Sequence, residues 1–411
     1  MPWVEPFKGL RYSRGKVGPL SRVVTPPYDV ISPEAQEGYY RKHRYNFIRV
    51  VYGRQHRRDA PGHDRYSRAR RTLADWIGRG ILREDPLPSV YPYQQEYRIE
   101  GRAHRRCGVV ALLHLSSRVL PHEEIRLQPK LDRLRLLTAL RLSSSPIFGL
   151  VPDPGGRFKK MIEGWCRGHR PASVVSVDAV VHRLWRVSDP RWIQGLRRLL
   201  RRREVVIADG HHRYAASVAY REKRRKEVGG ARGRQPYDYA MFFLSSAAGE
   251  EPGLLPTHRL LRGAERGWME VFRSRLDRNG CAQRRSGARE VLGELRRLRR
   301  RGKVAVGCCS GRDGAWILRM PAAAGYPLDV EWLHREVLPE WIGGRQELSY
   351  TQDAGEGLRQ LHSGSAQTLL LMQPPRLDEV MRRARTGRRM PGKTTYFYPK
   401  PLSGLVEYRL T

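Results

Sequence analysis

The run VVIADGHHRYAASVAYREKRRK (205–226) gathers residue types that handle an anion. A β-branched stretch, Val205 to Ile207, leads to Asp209 and Gly210, then to two imidazoles, His211 and His212, and to Arg213. The stretch suits a buried strand. Tyr214, Ala215, Val218 and Ala219 recur at helical spacing, so a helix is expected to begin near His211. Gly210 then falls at the strand–helix turn, where the missing Cβ lets a ligand approach the backbone. The first amides of a helix lack internal partners and carry the positive end of its dipole. A phosphate placed there meets N–H donors, and Arg213 adds a bidentate, charge-assisted grip. The imidazoles supply donors or a proton shuttle near neutral pH. A local reading competes: Asp209 caps the helix and the histidines face solvent. The spacing alone makes a poor metal site, because adjacent side chains on a helix diverge by about 100° and no third ligand has zincin spacing.

The elements that must position these residues read as mixed strands and helices. NFIRVVYG (46–53) reads as a buried strand. RYSRARRTLADWIGRGIL (65–82) places Ala69, Leu73, Trp76 and Ile77 on one helical stripe. SVYPYQQEYRIEG (89–101) and HRRCGVVALLHL (104–115) form an expected hairpin about EGRA. SDPRWIQGLRRLL has a polar cap, Pro190 in its first turn, and Ile193, Leu196 and Leu200 on one face. Further on, a basic amphipathic helix (288–302) runs straight into a strand (303–309), and a strand (366–375) precedes a helix ending at Gly387. Without a strict βαβ rhythm the class is α+β, or irregular α/β. Three segments are expected: 1–118, 119–263 carrying the turn, and 264–411.

At 411 residues, with 40% hydrophobic residues, nine Trp and nineteen Tyr, the chain folds into more than one domain. No apolar stretch approaches a membrane span, and the N-terminus lacks a signal peptide's apolar core. The five cysteines, Cys107, Cys166, Cys281, Cys308 and Cys309, show no CxxC spacing, which argues against a disulfide framework or a zinc site. A cytoplasmic location is expected. The formal charge of +37 suits a polyanionic partner, yet Arg dominates and is dispersed through every segment, as a GC-rich genome produces. Nucleic acid is therefore not the favoured partner.

Motifs spread from end to end carry a resemblance. PFKGLRYS (6–13), TPPYDVIS (25–32), YNFIRVVYG (45–53), LPHEE (120–124), PKLDRLRLL (129–137), SPIFGL (145–150), IADGHHRY (207–214), LPTHRLL (255–261) and MPGKTTYFYPKPLSGLV (390–406) resemble the family catalogued as domain of unknown function 1015, loosely labelled SpoOJ/ParA/ParB/RepB-like. The spacing Gly210-x-x-Arg213-x-x-Ala216 looks like the phosphate box of the ParB/sulfiredoxin-like superfamily, which includes the free-serine kinases. That resemblance implies a ParB/sulfiredoxin-like core within 119–263. Departures stand at Ile125, Ala215, Ala216 and Gln352, where the family usually carries polar residues.

The kinase resemblance implies three parts: a phosphate cradle, a base near a hydroxyl, and a cation clamp. Gly210, His211, His212 and Arg213 would form the cradle. Glu123, beside His122, would be the base, with His211 and His212 sharing catalysis. Lys130 and Arg133, one turn apart if helical, would bind a carboxylate or phosphate. Asp209 would hold Mg²⁺. The expected function is a phosphotransferase using ATP or ADP with Mg²⁺ on a small hydroxyl amino acid, free serine, or hydrolysis of phosphoserine. Serine fits because relatives are often encoded beside serine-biosynthesis genes. Two other classes stay open: a ParB-like nucleotide-switched DNA-binding protein, and an inactive scaffold that keeps the cradle. The first lacks a helix-turn-helix after the box.

Overall fold

The computed structural model describes residues 4–229, 233–248, 253–263, 282–311, 314–321, 324–339 and 347–410. The chain divides into two compact units, Met1–Pro252 with Pro399–Thr411, and Gly253–Tyr398. The first is built on a nine-stranded mixed sheet. Its strands are β1 (Val4–Glu5), β2 (Tyr91–Ile99), β3 (Arg102–His114), β4 (Val119–Leu120), β5 (Ile147–Val151), β6 (Ser173–Val177), β7 (Val180–Leu184), β8 (Val205–Asp209) and β9 (Tyr239–Ser246). Their spatial order is β4-β8-β5-β9-β3-β2-β7-β6, with β1 paired to β3. Only β4–β8 and β5–β9 run parallel among these pairs. The segments 1–118 and 119–263 thus do not fold apart. Strands from both share one hydrogen-bonded sheet, and Pro399–Thr411 returns to the same unit.

Period-two alternation gives the sheet two apolar faces. One carries Val109, Ala111, Ile147, Val205, Ile207, Phe242 and Leu244, covered by Phe158 and Ile162 of a helix at Arg157–Gly168 and by Ile193 and Leu196 of a helix at Pro190–Leu200. The other carries Tyr93, Phe148 and Phe243, with the Phe243 ring 5.0 Å from Tyr93 and 5.1 Å from Phe148. The C-terminal segment lies here: the Leu402 amide donates to Tyr93 Oη at 3.3 Å, and Gln95 Nε2 donates to the Lys400 carbonyl at 3.1 Å.

The expected hairpin forms, with Ile99 opposite Arg102. The 65–82 helix spans Arg65–Gly78, capped by an Asp64–Ser67 box. Asp189 caps Pro190–Leu200 by accepting from the Arg191 amide. One expectation fails. Residues 46–53 contain a single helical turn, Ile48–Val51, rather than a strand. Buried Asn46 accepts from the Ile48 amide at 3.0 Å and donates to the Arg22 carbonyl at 2.8 Å, so an Asx turn leading into the helical turn overrides the β-propensity of the run.

In the second unit a six-stranded antiparallel sheet includes His258–Arg262, Ala305–Ser310 and Thr368–Leu371. The helix Ala288–Arg300 leads directly to the strand Ala305–Ser310, as expected. His258 Nδ1 accepts from the Met372 amide at 3.0 Å, a satisfied structural role. Cys107, Cys166, Cys308 and Cys309 are buried, and Cys281 lies outside the described residues.

Gly108 sits where β3 and β9 press together. A Cβ there would lie 2.3 Å from the Leu244 carbonyl oxygen and 2.5 Å from the Phe243 ring. Backbone cannot yield as a flexible side chain does, so Gly108→Ala is expected to cost about 2 kcal/mol or more in urea unfolding.

Candidate functional site

The strand–helix turn folds as its sequence predicts. β8 ends at Asp209, Gly210 adopts φ 96° and ψ 28°, and a helix, α1, runs from His211 to Glu227. A register shift between Ile207 and Asp209 marks a bulge against β5, which re-aims the strand end. Gly210 occupies the capping position, so Asp209 does not cap the helix. The stripe is rotated from expectation: His211, Ala216 and Tyr220 are the buried positions, while Tyr214 and Val218 pack partly exposed against the sheet core.

Both histidines hold the LPHEE segment. His211 Nε2 accepts from the His122 amide at 3.3 Å, and their rings meet edge to face at 4.6 Å. His212 Nε2 accepts from the Arg126 amide at 3.0 Å. A ring nitrogen that accepts carries no proton, so both imidazoles are neutral in this arrangement and Nε2 is not available as a donor. Each end of 122–126 is thereby tied to the first turn of α1. Glu123 and Ile125 lie between the two ties, half-buried. His122 is fully buried, and burial lowers its proton affinity against the opposing pull of the Glu123 carboxylate.

Arg213 does not point to open space. Its guanidinium lies 3.0 Å from where a Gly210 Cβ would stand, pairs with Asp209 Oδ2, and donates to the Pro146 carbonyl at 2.5 Å. The other Asp209 oxygen accepts from Lys400 Nζ at 2.6 Å. Lys400 also pairs with Asp29. Asp29, Lys400, Asp209 and Arg213 therefore form a chain of alternating charge. Both oxygens of Asp209 are engaged by cations, and among the described residues no group of three His, Cys, Asp or Glu side chains could hold a metal ion. The donor set does not fit Mg²⁺ at Asp209.

Lys130 and Arg133 stand on a second helix, α2 (Leu127–Leu140), which packs along α1. Arg133 is buried, donates to the Val51 carbonyl at 2.9 Å and to Asp132 at 2.7 Å, and lies 3.8 Å over the Tyr28 ring. Burial would raise the Asp132 carboxyl; the Arg133 and Arg65 guanidiniums outweigh it and hold the group below its ordinary range. Lys130 is half-buried one turn before Arg133 and makes no ion pair among the described residues. A cavity of about 40 Å³ runs between Arg133 and Arg213, lined also by Tyr28, Ser143, Ser145 and Ala216. Gln352, by contrast, follows the strand Glu347–Thr351 in the second unit.

The sequence reading gave no role to Lys400 or to Asp29 beyond their motifs. The one signal was a lone ammonium among the apolar and aromatic residues of TTYFYPKPLSGLV.

The fold and the site define a mixed α/β protein with a charge-rich helix start beside an acidic loop. The chain belongs to the family described as "Protein of unknown function (DUF1015)", which matches residues 4–328. No curated protein matches it. Among solved structures it is similar to a free serine kinase in complex with AMP (14% identity, 72% of this chain and 92% of that one, TM-score 0.39). It is also similar to a conserved hypothetical protein from Pyrococcus furiosus (13%, 71% and 92%, TM-score 0.37). A third is SbnI with C-terminal truncation from Staphylococcus aureus (12%, 72% and 86%, TM-score 0.38). No helix among the described residues is long and apolar enough to cross a membrane.

The lowered proton affinity of His122 has a sign that can be checked. Below its ordinary value of 6.5 the unfolded chain takes a proton that the folded chain refuses. This contribution to stability is present above pH 6.5 and is lost as pH falls toward the depressed folded value. His122→Asn should reduce the acid slope of unfolding free energy by up to about 1.4 kcal/mol per pH unit in that window.

Proposed function

We propose that the Asp209–Arg213 turn binds a phosphate group of a nucleotide and that the chain transfers a phosphoryl group to or from a small hydroxyl amino acid, with serine first to be tested. The observation that supports this reading is the pair of imidazole–amide hydrogen bonds that tie both ends of the 122–126 segment to the start of α1. They set Glu123 beside a helix N-terminus, which puts a candidate base next to a candidate phosphate cradle.

In this reading Glu123 takes the proton from the attacking hydroxyl as the phosphoryl group leaves the nucleotide. The first amides of α1 and the Arg213 guanidinium bind the phosphate oxygens, where fixed dipoles stabilise developing charge without reorganising. His211 and His212 act as positioning residues: they fix the loop through Nε2 and touch no reacting atom. Arg133 is already paired with Asp132, so Lys130, one turn earlier on the same helix, is the cation left for the carboxylate of an amino-acid substrate. The ParB/sulfiredoxin-like label belongs to this proposal, as the source of the phosphate-box comparison. Divalent metal would enter with the nucleotide phosphates, because the donors at Asp209 are already taken.

One observation favours binding without turnover as a second reading. Ala216 presents only a methyl to the cavity wall, and Ile125 is apolar inside the tethered loop, so two polar groups usual in relatives are absent here.

Purified full-length chain incubated with serine and ATP or ADP, and separately with phosphoserine and ADP, distinguishes the two. Turnover is expected, with Glu123→Gln lowering kcat about 10²- to 10⁴-fold while nucleotide affinity stays within about threefold. His212→Ala should lower kcat/KM by a smaller factor through the loosened loop. Nucleotide binding without any phosphoserine formation or loss selects the second reading.

A further inference from the structure

Arg213, the residue best placed to grip a phosphate, is already occupied. Its guanidinium rests on the Gly210 backbone and is paired with Asp209 Oδ2 and the Pro146 carbonyl. The neighbouring cavity of about 40 Å³ admits about three waters, not a nucleotide phosphate chain. A ligand anion at the turn therefore requires the guanidinium to turn away from Asp209. If nothing else held that carboxylate, the exchange would strand a charge whose side chain is 14% exposed, a costly arrangement.

Lys400 removes that obstacle. Its ammonium, 7% exposed, lies 2.6 Å from the Asp209 oxygen that Arg213 does not use, and its second carboxylate partner is Asp29. The two carboxylates and two cations balance. When Arg213 leaves, Lys400 alone holds both Asp29 and Asp209, so Asp209 keeps a cation although the cluster is one positive charge short, and the guanidinium carries its full charge to the ligand. Glu407 is fully buried nearby and accepts from the Gly404 amide at 2.5 Å; burial pushes its carboxyl well up, against the pull of that amide and of the Arg213 charge.

We propose that Lys400 is a positioning residue of the anion site: by retaining Asp209 it releases Arg213 to an incoming phosphate. The inference rests on the phosphate reading above. It further states that Asp209 restrains the site rather than binding the ligand, and that a segment nearly two hundred residues downstream sets how tightly the turn holds an anion.

The test is calorimetric titration of the full-length chain with inorganic pyrophosphate. Lys400→Met should weaken binding about tenfold, because Asp209 then keeps Arg213 for itself. Asp209→Asn should tighten binding several-fold, and Asp209→Asn combined with Lys400→Met should return to within about threefold of Asp209→Asn alone. That rescue separates release of Arg213 from a merely structural role, for which the two losses would add. Unchanged affinity in Lys400→Met, or a loss that persists in the double variant, overturns the inference while leaving the phosphate reading intact. Absence of pyrophosphate binding in the unsubstituted chain overturns both. If Lys400→Met does not fold, as judged by circular dichroism, Asp209→Asn decides: tighter binding supports the inference, and tenfold weaker binding overturns it.

Discussion

Asp209 and Lys400 together join three stretches of chain that lie far apart in sequence. One Asp209 oxygen pairs with Arg213 at the start of α1 and the other with Lys400 of the C-terminal segment, which itself reaches Asp29 near the N-terminus. Because these groups are largely removed from water, none can be left unmatched without a penalty that exceeds most single contacts in the fold. The alternation of charge is therefore a constraint on the whole first unit. It ties the C-terminal segment to the strand–helix turn, and it holds Arg213 folded back against Asp209 and the Pro146 carbonyl.

Around that constraint the histidines do geometric work. Adjacent imidazoles at a helix start look like acid–base chemistry in a sequence, yet here each accepts an amide hydrogen from the loop beside it. In the proposed reaction the base lies on that loop, where Glu123 stands between the two tethers. The same logic applies to the arginine surplus. Arg106, Arg133, Arg259 and Arg383 are buried and serve internal carbonyls and carboxylates, so part of the +37 charge is structural rather than a surface for polyanions.

Local pattern was legible wherever a side chain's role depends on near neighbours. The helices at 65–78 and 190–200, the hairpin at 99–102 and the strand–turn–helix at 205–227 follow from periodicity and capping. Ile48–Val51 was misread because the β-branched run carries a strand signal, whereas the Asn46 turn that reverses it is a tertiary arrangement as much as a local one. The boundary near 118 was misread for a related reason: strand pairing between β3 and β9 joins residues more than a hundred positions apart, and no local signal encodes it.

By itself, the sequence determined that a glycine would sit at a strand–helix turn with donors and an arginine just beyond it, because chain geometry within a few residues requires no partner from elsewhere. The tertiary structure alone decided what those groups face. That the histidines meet 122–126, that Asp209 answers to Lys400, and that Arg213 is folded back against Gly210 all depend on segments brought together by the sheet. Charges and lone pairs buried by such packing must find partners wherever the fold supplies them, and linear spacing carries no record of that choice.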